Sequence, residues 1–517
     1  MKKSILIVLS IIVFTSCSED YLTLNPQATL FSSEYFSTPE ELDQALIATY
    51  DVLGHQKGTN FGWAPPLFLA EVLSDDAFAG GQDAGDGAED DELNTFSIST
   101  GNGVARSLWK KNFFGVYRAN FTIEKAQPLL EGKDAAAVTT MVAEAKFLRA
   151  YFNFELVRFF ENVPLFTDVA SGLADGNRPQ VAPSVIYNQI ATDLVEAIPN
   201  LSETIGTGRA TKWAAQALLG RVYLFENGVY GTGMTANGTA VDGAYVLTQL
   251  EDIINNSPHD LLPDYNELFL AANEFSIENV FEISFAGTPV GGDWGSEQYV
   301  EGNLAAQKMG PRVTGGSTYY RGWAFGTVSN KLFQAMQGDP RLDGTILTQT
   351  TILTENGVTL NTGSYQHTGY YNNKYTTRLV DRGIQGTPEL HNMTNIRIIR
   401  FSDVLLMAAE IDQNVTYINR VRQRVGLADE ASYSDVILFR ERRLELSGEG
   451  LRYFDVLRRG LTVAGQEFTV TGDIGPLYTG NDELYDVTFD ASTKGFLPIP
   501  QVEIELSNGV LKQNIGY

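Results

Sequence analysis

The sequence predicts a mainly α scaffold of packed helices, interrupted by a loop-rich, partly β excursion. Three observations predict it. Apolar residues recur at helical spacing through the first half and again from Phe401. Between Ala286 and Asn330, ten of 45 residues are glycine, about double the chain average, a density that marks turns and loops. Short alternating runs such as Asn279 to Gly287 suggest strands in that middle region.

The N-terminus reads as a signal peptide over residues 1–16. Lys2 and Lys3 precede an apolar run, Ile5 to Phe14, too short to span a bilayer, and Thr15 and Ser16 follow. Next comes Cys17, the only cysteine in 517 residues, so neither an intramolecular disulfide nor a cysteine metal cluster can form. The junction resembles a bacterial lipobox, with Phe14 and Ser16 where Leu and Gly or Ala are usual. That resemblance implies acylation of Cys17; an ordinary secreted protein cleaved nearby is the alternative. Two or more acyl chains, at about 0.8 kcal/mol per buried methylene, anchor a soluble body. Past Cys17 no apolar run reaches 18 residues, so the expected membrane attachment is by lipid anchor only.

The helices follow in order. Pro39 to Leu53 and Val104 to Leu130 are the first long candidates. In Thr140 to Phe160, Met141, Ala145, Leu148, Phe152, Leu156 and Phe159 line one face, while Phe147, Tyr151 and Phe154 widen the apolar arc. Such a helix packs on two neighbours, and Pro164 is expected to stop it. Pro183 to Ile198, Lys212 to Glu226 and Tyr245 to Asn255 come next. In Lys212 to Glu226 the small residues Ala215, Ala217 and Gly220 let a partner helix approach closely. Paired helices that alternate small and large residues look like tetratricopeptide-type units. After the excursion, helices return at Phe401 to Asp412, Thr416 to Val425 and Tyr433 to Ser447.

Charge narrows the function classes. Acidic residues number 63 against 37 basic, a net charge of -26. That surface repels phosphate backbones, so no nucleic-acid partner is expected and neutral ligands are favoured. A hydrophobic content of 43% is that of a folded protein.

Catalytic signatures are not recognisable. There is no GxSxG elbow and no HExxH. His55, His259, His367 and His391 lack ligand spacing and read as surface or loop residues. Gly231, Gly233 and Gly238 do not make a dinucleotide fingerprint. A glycosidase needs only two facing carboxylates, which 63 acids neither reveal nor exclude. The acidic stretch Gly80 to Glu92 offers Asp83, Asp86, Glu89, Asp90 and Asp91 as hard oxygen ligands for a structural calcium ion; a solvated acidic loop is the alternative. No cofactor is otherwise required. Arg440, Glu441, Arg443, Glu445 and Glu449 read as structural ion pairs.

The tryptophans divide by context. Trp109 and Trp213 lie in helical patterns and read as core. Trp63, Trp294 and Trp323 lie in loops punctuated by Gly or Pro. A flat aromatic covers the apolar C–H face of a sugar while polar groups take its hydroxyls, contributing about 1–3 kcal/mol per platform. Trp294, Tyr299, Tyr320 and Trp323 are therefore the expected platforms, with Trp63 alongside and Glu297, Gln298 and Arg321 as hydrogen-bonding partners. The alternative is that these rings only pin long loops. Tyr365, Tyr370 and Tyr371 form a second cluster, more readily explained by packing.

Seven ordered segments resemble the RagB/SusD family of outer-membrane lipoproteins: CSEDYLTLNPQ, EAKFLRAYFNFELVRFFENVPL, ATKWAAQALLGRVYLF, IRIIRFSDVLLMAAE, INRVRQRVG, RERRLELSGEGLRYFDVLRRG and FLPIPQVEIELSNGVLKQNIGY. They cover both ends and leave the middle unmatched. Between AAE and INRVR only IDQNVTY intervenes, shorter than the family's usual linker. The resemblance implies a SusD-like, tetratricopeptide-like helical scaffold with a loop-rich ligand face and no catalytic residues. It also implies a protein on the outer cell surface that captures glycans, or less often peptides, and delivers them to a TonB-dependent, SusC-like transporter. Glu19 and Asp20 resemble the surface-export signal of such lipoproteins. The expected organisation is a signal peptide over 1–16, an anchored segment over 17–37, a helical scaffold over 38–278, a ligand-binding excursion over 279–400 and a completing segment over 401–517. Glycan capture leads; peptide capture on the same scaffold is the alternative, and a glycoside hydrolase is a remote one.

Overall fold

The computed structural model describes residues 35–56, 63–286, 302–382, 387–471 and 487–517. Cys17, Trp294, Glu297, Gln298 and Tyr299 lie outside these described residues.

The scaffold is helical, as the periodicity predicts. It comprises α1 (Pro39–Gly54), α2 (Pro66–Val72), α3 (Ala88–Asn94), α4 (Gly103–Ala126), α5 (Ala135–Phe160), α6 (Pro183–Ala197), α7 (Lys212–Val229) and α8 (Gly243–Asn256). Helix α1 opens with a complete capping box, Thr38 and Glu41 each accepting from the other's backbone N–H. Helix α5 is buried along most of its C-terminal half and packs against α4, α6 and α1. It ends at Phe160, before Pro164, with Glu161 in the left-handed region at φ 57°. Close helix approach rests on two glycines. A Cβ at Gly115 of α4 would stand 2.4 Å from the Phe152 ring, and one at Gly220 of α7 would stand 2.9 Å from Leu250 of α8.

The glycine run after α7 makes a hairpin that its spacing did not announce. Strands β1 (Met234–Ala236) and β2 (Thr239–Val241) pair antiparallel. Asn237 and Gly238, at φ 50° and 80°, supply the two positive φ angles that a tight primed turn requires.

The excursion is bracketed by one strand pair. Strand β3 (Asn279–Ile283) runs antiparallel to β8 (Ile396–Arg400), with Ile283 opposite Ile396. The intervening chain leaves and re-enters the scaffold at one place. It carries the short helix α9 (Leu304–Met309) and the two-stranded pairs β4 (Val313–Thr314) with β6 (Thr359–Leu360), and β5 (Ile346–Thr348) with β7 (Tyr370–Asn372).

Helices α10 (Phe401–Asp412), α11 (Val415–Arg424) and α12 (Asp435–Leu446) follow. The short linker is a two-residue turn, with Gln413 at φ 51° ending α10 and Asn414 capping α11. The charged run on α12 forms ion pairs, but with other elements rather than along its own helix. Glu445 accepts from Arg341 at 3.1 Å, Arg400 at 2.9 Å and Arg424 at 2.5 Å. Glu441 binds Arg341 and Arg422, Glu449 binds Lys374 and Arg400, and Arg443 binds Asp76. Arg440 alone pairs near the surface, with Glu430. This buried network ties the excursion and the strand pair to the C-terminal helices. Removing one member leaves others unpaired, which is why such sites resist substitution.

The four histidines lie in loops, as expected, but not at the surface: His55, His259, His367 and His391 are 3%, 4%, 1% and 0% exposed. Partners make that burial tolerable. His259 Nδ1 lies 2.8 Å from the Ile277 carbonyl, and His367 lies between Gln349 and Tyr371.

Candidate functional site

An open cleft of about 620 Å³ lies where the start of α4, the chain around α3 and the excursion meet. Trp63 and Trp323 form one wall. Each is half-buried, and their ring centroids are 5.7 Å apart with planes at 64°. Two rings so inclined cannot both lie flat on one sugar, but both line the cleft.

The Trp323 wall is held by backbone geometry. The last turn of a helix leaves carbonyls without helical partners, and here the excursion supplies them. Trp323 N–H donates to the Gln307 carbonyl at 3.0 Å and Phe325 N–H to the Lys308 carbonyl at 2.8 Å. On the other side Gly81 N–H donates to the Ala324 carbonyl at 2.8 Å. Ala324 takes φ 58°, a left-handed conformation that costs a non-glycine residue about 1 kcal/mol. Gly322 packs directly on Gly310, where a Cβ would stand 2.2 Å from the Gly310 carbonyl.

Lys308 ties the two tryptophan segments together. Its Nζ donates to Asp90 Oδ2 at 2.7 Å and to the Trp63 carbonyl at 3.3 Å. The ammonium also sits 4.1 Å from the Phe68 ring centroid and 5.0 Å from that of Phe325, a favourable cation–π arrangement. Arg312 repeats the theme at the opposite edge. It donates to the Trp323 carbonyl at 2.9 Å, to Gln82 at 3.2 Å and to Asp86 at 3.2 Å. Burial holds the Arg312 guanidinium below its usual pKa, against the pull of Asp86.

Of the expected site residues, the structure brings the platforms Trp63 and Trp323 and the hydrogen-bonding Arg321 into one cleft. Tyr320 stands aside from it: the Arg382 guanidinium lies 5.1 Å over its ring, and burial and then Glu389 raise its phenol pKa. Trp109 and Trp213 are core, 5% and 2% exposed. In the second tyrosine cluster, Tyr370 stacks on Phe333 at 4.0 Å and Tyr371 is fully buried, so packing accounts for both.

The acids of the expected cation loop are engaged in hydrogen bonds and ion pairs within the protein. Residues 88–94 are helical, so Glu89, Asp90 and Asp91 project in different directions around one helix. Asp83 accepts from Gly85 N–H and Asp86 from Gln82 N–H and Arg312. Glu89 accepts from Gly103 N–H at the start of α4, Asp90 pairs with Lys308, and Asp91 accepts from Tyr365 at 3.4 Å. Among the described residues no three His, Cys, Asp or Glu side chains converge in a geometry that holds a metal ion.

Sequence reasoning missed Lys308, Arg312 and Glu389. Lys308 and Arg312 are single charges in NLAAQKMGPRV, a hint that something nearby must pair them, but their partners lie more than 200 residues away in the chain.

Comparison with known proteins is consistent with this architecture. A model described as SusD family matches residues 277–517, and one described as starch-binding associating with outer membrane matches residues 20–224. SusD-like protein P2 of Formosa agariphila is 26% identical over 546 residues, covering 100% of both chains. A SusD-like protein of Bacteroides ovatus is 25% identical over 480 residues, covering 88% of this chain and 82% of its own. Among solved structures, a laminarin binding SusD-like protein has a TM-score of 0.79 at 30% identity, covering 92% of this chain and 99% of that one. Surface glycan-binding protein A from Bacteroides thetaiotaomicron, in complex with laminarihexaose, has a TM-score of 0.79 at 26% identity with the same coverage.

Proposed function

The chain belongs to the RagB/SusD family, and from that premise we propose that it is a cell-surface lipoprotein that captures a glycan and passes it to a TonB-dependent transporter. The observation that carries the reading is the Trp63–Trp323 pair, which presents inclined aromatic faces in a cleft rimmed by hydrogen-bonding side chains. Similar proteins whose names state a ligand bind laminarin or laminarihexaose, which supports a glucan and a binding role rather than catalysis. Each aromatic platform contributes about 1–3 kcal/mol. A few platforms with hydrogen bonds reach micromolar to millimolar affinity after association costs, roughly 4–8 kcal/mol. Binding of that strength permits release to a partner. The lipobox-like junction at Cys17 supports the location, and no helix among the described residues is long and apolar enough to cross a membrane.

The test is isothermal titration of residues 18–517 with laminarihexaose. Binding without hydrolysis is expected, and Trp323→Ala and Trp63→Ala should each remove most of the heat. Unchanged affinity in both variants overturns the site. Binding of peptides and of no glycan selects the peptide-capturing reading.

A further inference from the structure

Seven charged side chains line the cleft: Asp86, Glu89, Asp90, Lys308, Arg312, Arg321 and Glu389. Five are engaged inside the protein. Lys308 pairs with Asp90, Arg312 with Asp86, and Glu89 receives the Gly103 N–H. Two remain. The Arg321 guanidinium is exposed and the Glu389 carboxylate half-buried, and among the described residues neither makes an ion pair or a side-chain hydrogen bond. Their backbones are nonetheless fixed. The Arg321 carbonyl accepts from Gln307 Nε2 at 2.7 Å, and Glu389 sits on the short 3₁₀ turn Pro388–Leu390, which packs against α9.

The two charges share one neighbourhood. After burial and Asp86, the Arg312 guanidinium responds to Arg321 and Glu389 in opposite directions. The Tyr320 phenol, raised first by burial, responds to the same two groups. A donor fork and an acceptor, each on a fixed backbone, thus line the same cleft as Trp323, with no internal partner for either among the described residues.

Building on the glycan-binding reading, we propose that Arg321 and Glu389 are the specificity-determining pair of this cleft, admitting neutral sugars and excluding acidic ones. Guanidinium only donates and carboxylate only accepts, whereas a hydroxyl does both. A sugar presenting several hydroxyls satisfies both groups through charge-assisted hydrogen bonds. A uronate or sulfate also brings a second anion against Glu389, in a cleft whose lining cations Lys308 and Arg312 are already paired. A like charge set against the wrong ligand is an efficient way to reject a competitor, because the cost falls on that ligand only. The net charge of -26 acts in the same direction at longer range.

The experiment titrates the wild-type protein, Glu389→Gln and Arg321→Gln with laminarihexaose and with the same hexaose oxidised to carboxylates at C6, at low and high salt. The wild type should prefer the neutral hexaose at least tenfold. Glu389→Gln should shrink that ratio at least fivefold and remove most of its salt dependence. Arg321→Gln should weaken the neutral hexaose and not favour the oxidised one. Both side chains are solvent-accessible, and an unchanged thermal midpoint shows that each variant folds. A ratio unaltered by Glu389→Gln, or equal wild-type affinity for the two ligands, overturns the inference while leaving glycan binding intact. No wild-type binding to either hexaose overturns the functional reading, and this inference with it.

Discussion

Lys308 and Asp90 meet at 2.7 Å in the floor of the cleft, with side-chain exposures of 4% each. Lys308 also holds the Trp63 carbonyl, and its helix end holds the Trp323 backbone. The Lys308 carbonyl itself accepts from Phe325 N–H, so this residue links the Trp63 and Trp323 segments. Lys308→Met leaves the Asp90 carboxylate buried without its counter-charge, which costs about 3–5 kcal/mol. The expected outcome is a lower urea midpoint together with weaker laminarihexaose binding. Adding Asp90→Asn should recover part of the stability but not the affinity, since the Trp63 carbonyl still lacks its donor.

Gly322 offers a cleaner separation of position from contact. Its Cα touches the Gly310 backbone, and a Cβ would stand 2.2 Å from that carbonyl. Gly322→Ala adds one methyl and alters no aromatic ring, so the Trp323 segment must move away from α9. Overpacking of this kind costs about 1–3 kcal/mol. Titration should show an affinity loss approaching that of Trp323→Ala, although both tryptophans remain.

Glu445 answers to three guanidiniums, Arg341, Arg400 and Arg424. Burial by itself would raise its carboxyl, but these cations outweigh burial and hold it well below the usual range. Glu445→Leu strands the cations and should destabilise by about 3–5 kcal/mol, read as a lower midpoint in urea unfolding. Because the network ties the excursion to the helices, loss of laminarihexaose binding should accompany the unfolding transition.

Two buried acids set opposite pH limits. Burial would lift Asp403, yet Arg221 and Arg442 bring it to about 2, below its ordinary 3.8. A depressed carboxyl contributes stability that is present above the unfolded pKa and lost as pH falls through the folded one, here on the order of 2 kcal/mol between about pH 4 and 2. Glu71 is the reverse. Burial first, then Asp76, push it from 4.5 up to about 8, so its contribution is complete below about pH 4.5 and is lost as pH rises through 8. Glu71→Gln keeps an acceptor for the Gly450 N–H and removes that titration. Thermal midpoints from pH 5 to 9 should fall more steeply for the wild type than for the variant, by on the order of 2–4 kcal/mol in stability at the alkaline end.

Periodicity and punctuation carried far in this chain, and where they stopped has a physical cause. Helices such as α5 and α10 announced themselves because one amphipathic segment records its own burial in the spacing of its apolar residues. Trp63, Trp323 and Arg321 were legible as loop residues with nothing local to bury them. The stretch from Ala88 to Asn94 was not legible as a helix: with three acids in its first turn, it looks like a solvated loop until Lys308 and Gly103 are known to take two of those carboxylates.

By itself the sequence determined the class: a helical scaffold, a glycine-rich excursion, a membership written in seven dispersed segments, and a few aromatics stationed in loops. Only the tertiary structure decided which of those aromatics meet, that α9 fastens them, and that Arg321 and Glu389 remain unmatched beside them among the described residues. Local periodicity reports whether a residue faces inward. It does not report which distant residue faces it, because that pairing depends on how the backbone from β3 to β8 crosses over the scaffold, and no single segment encodes that path.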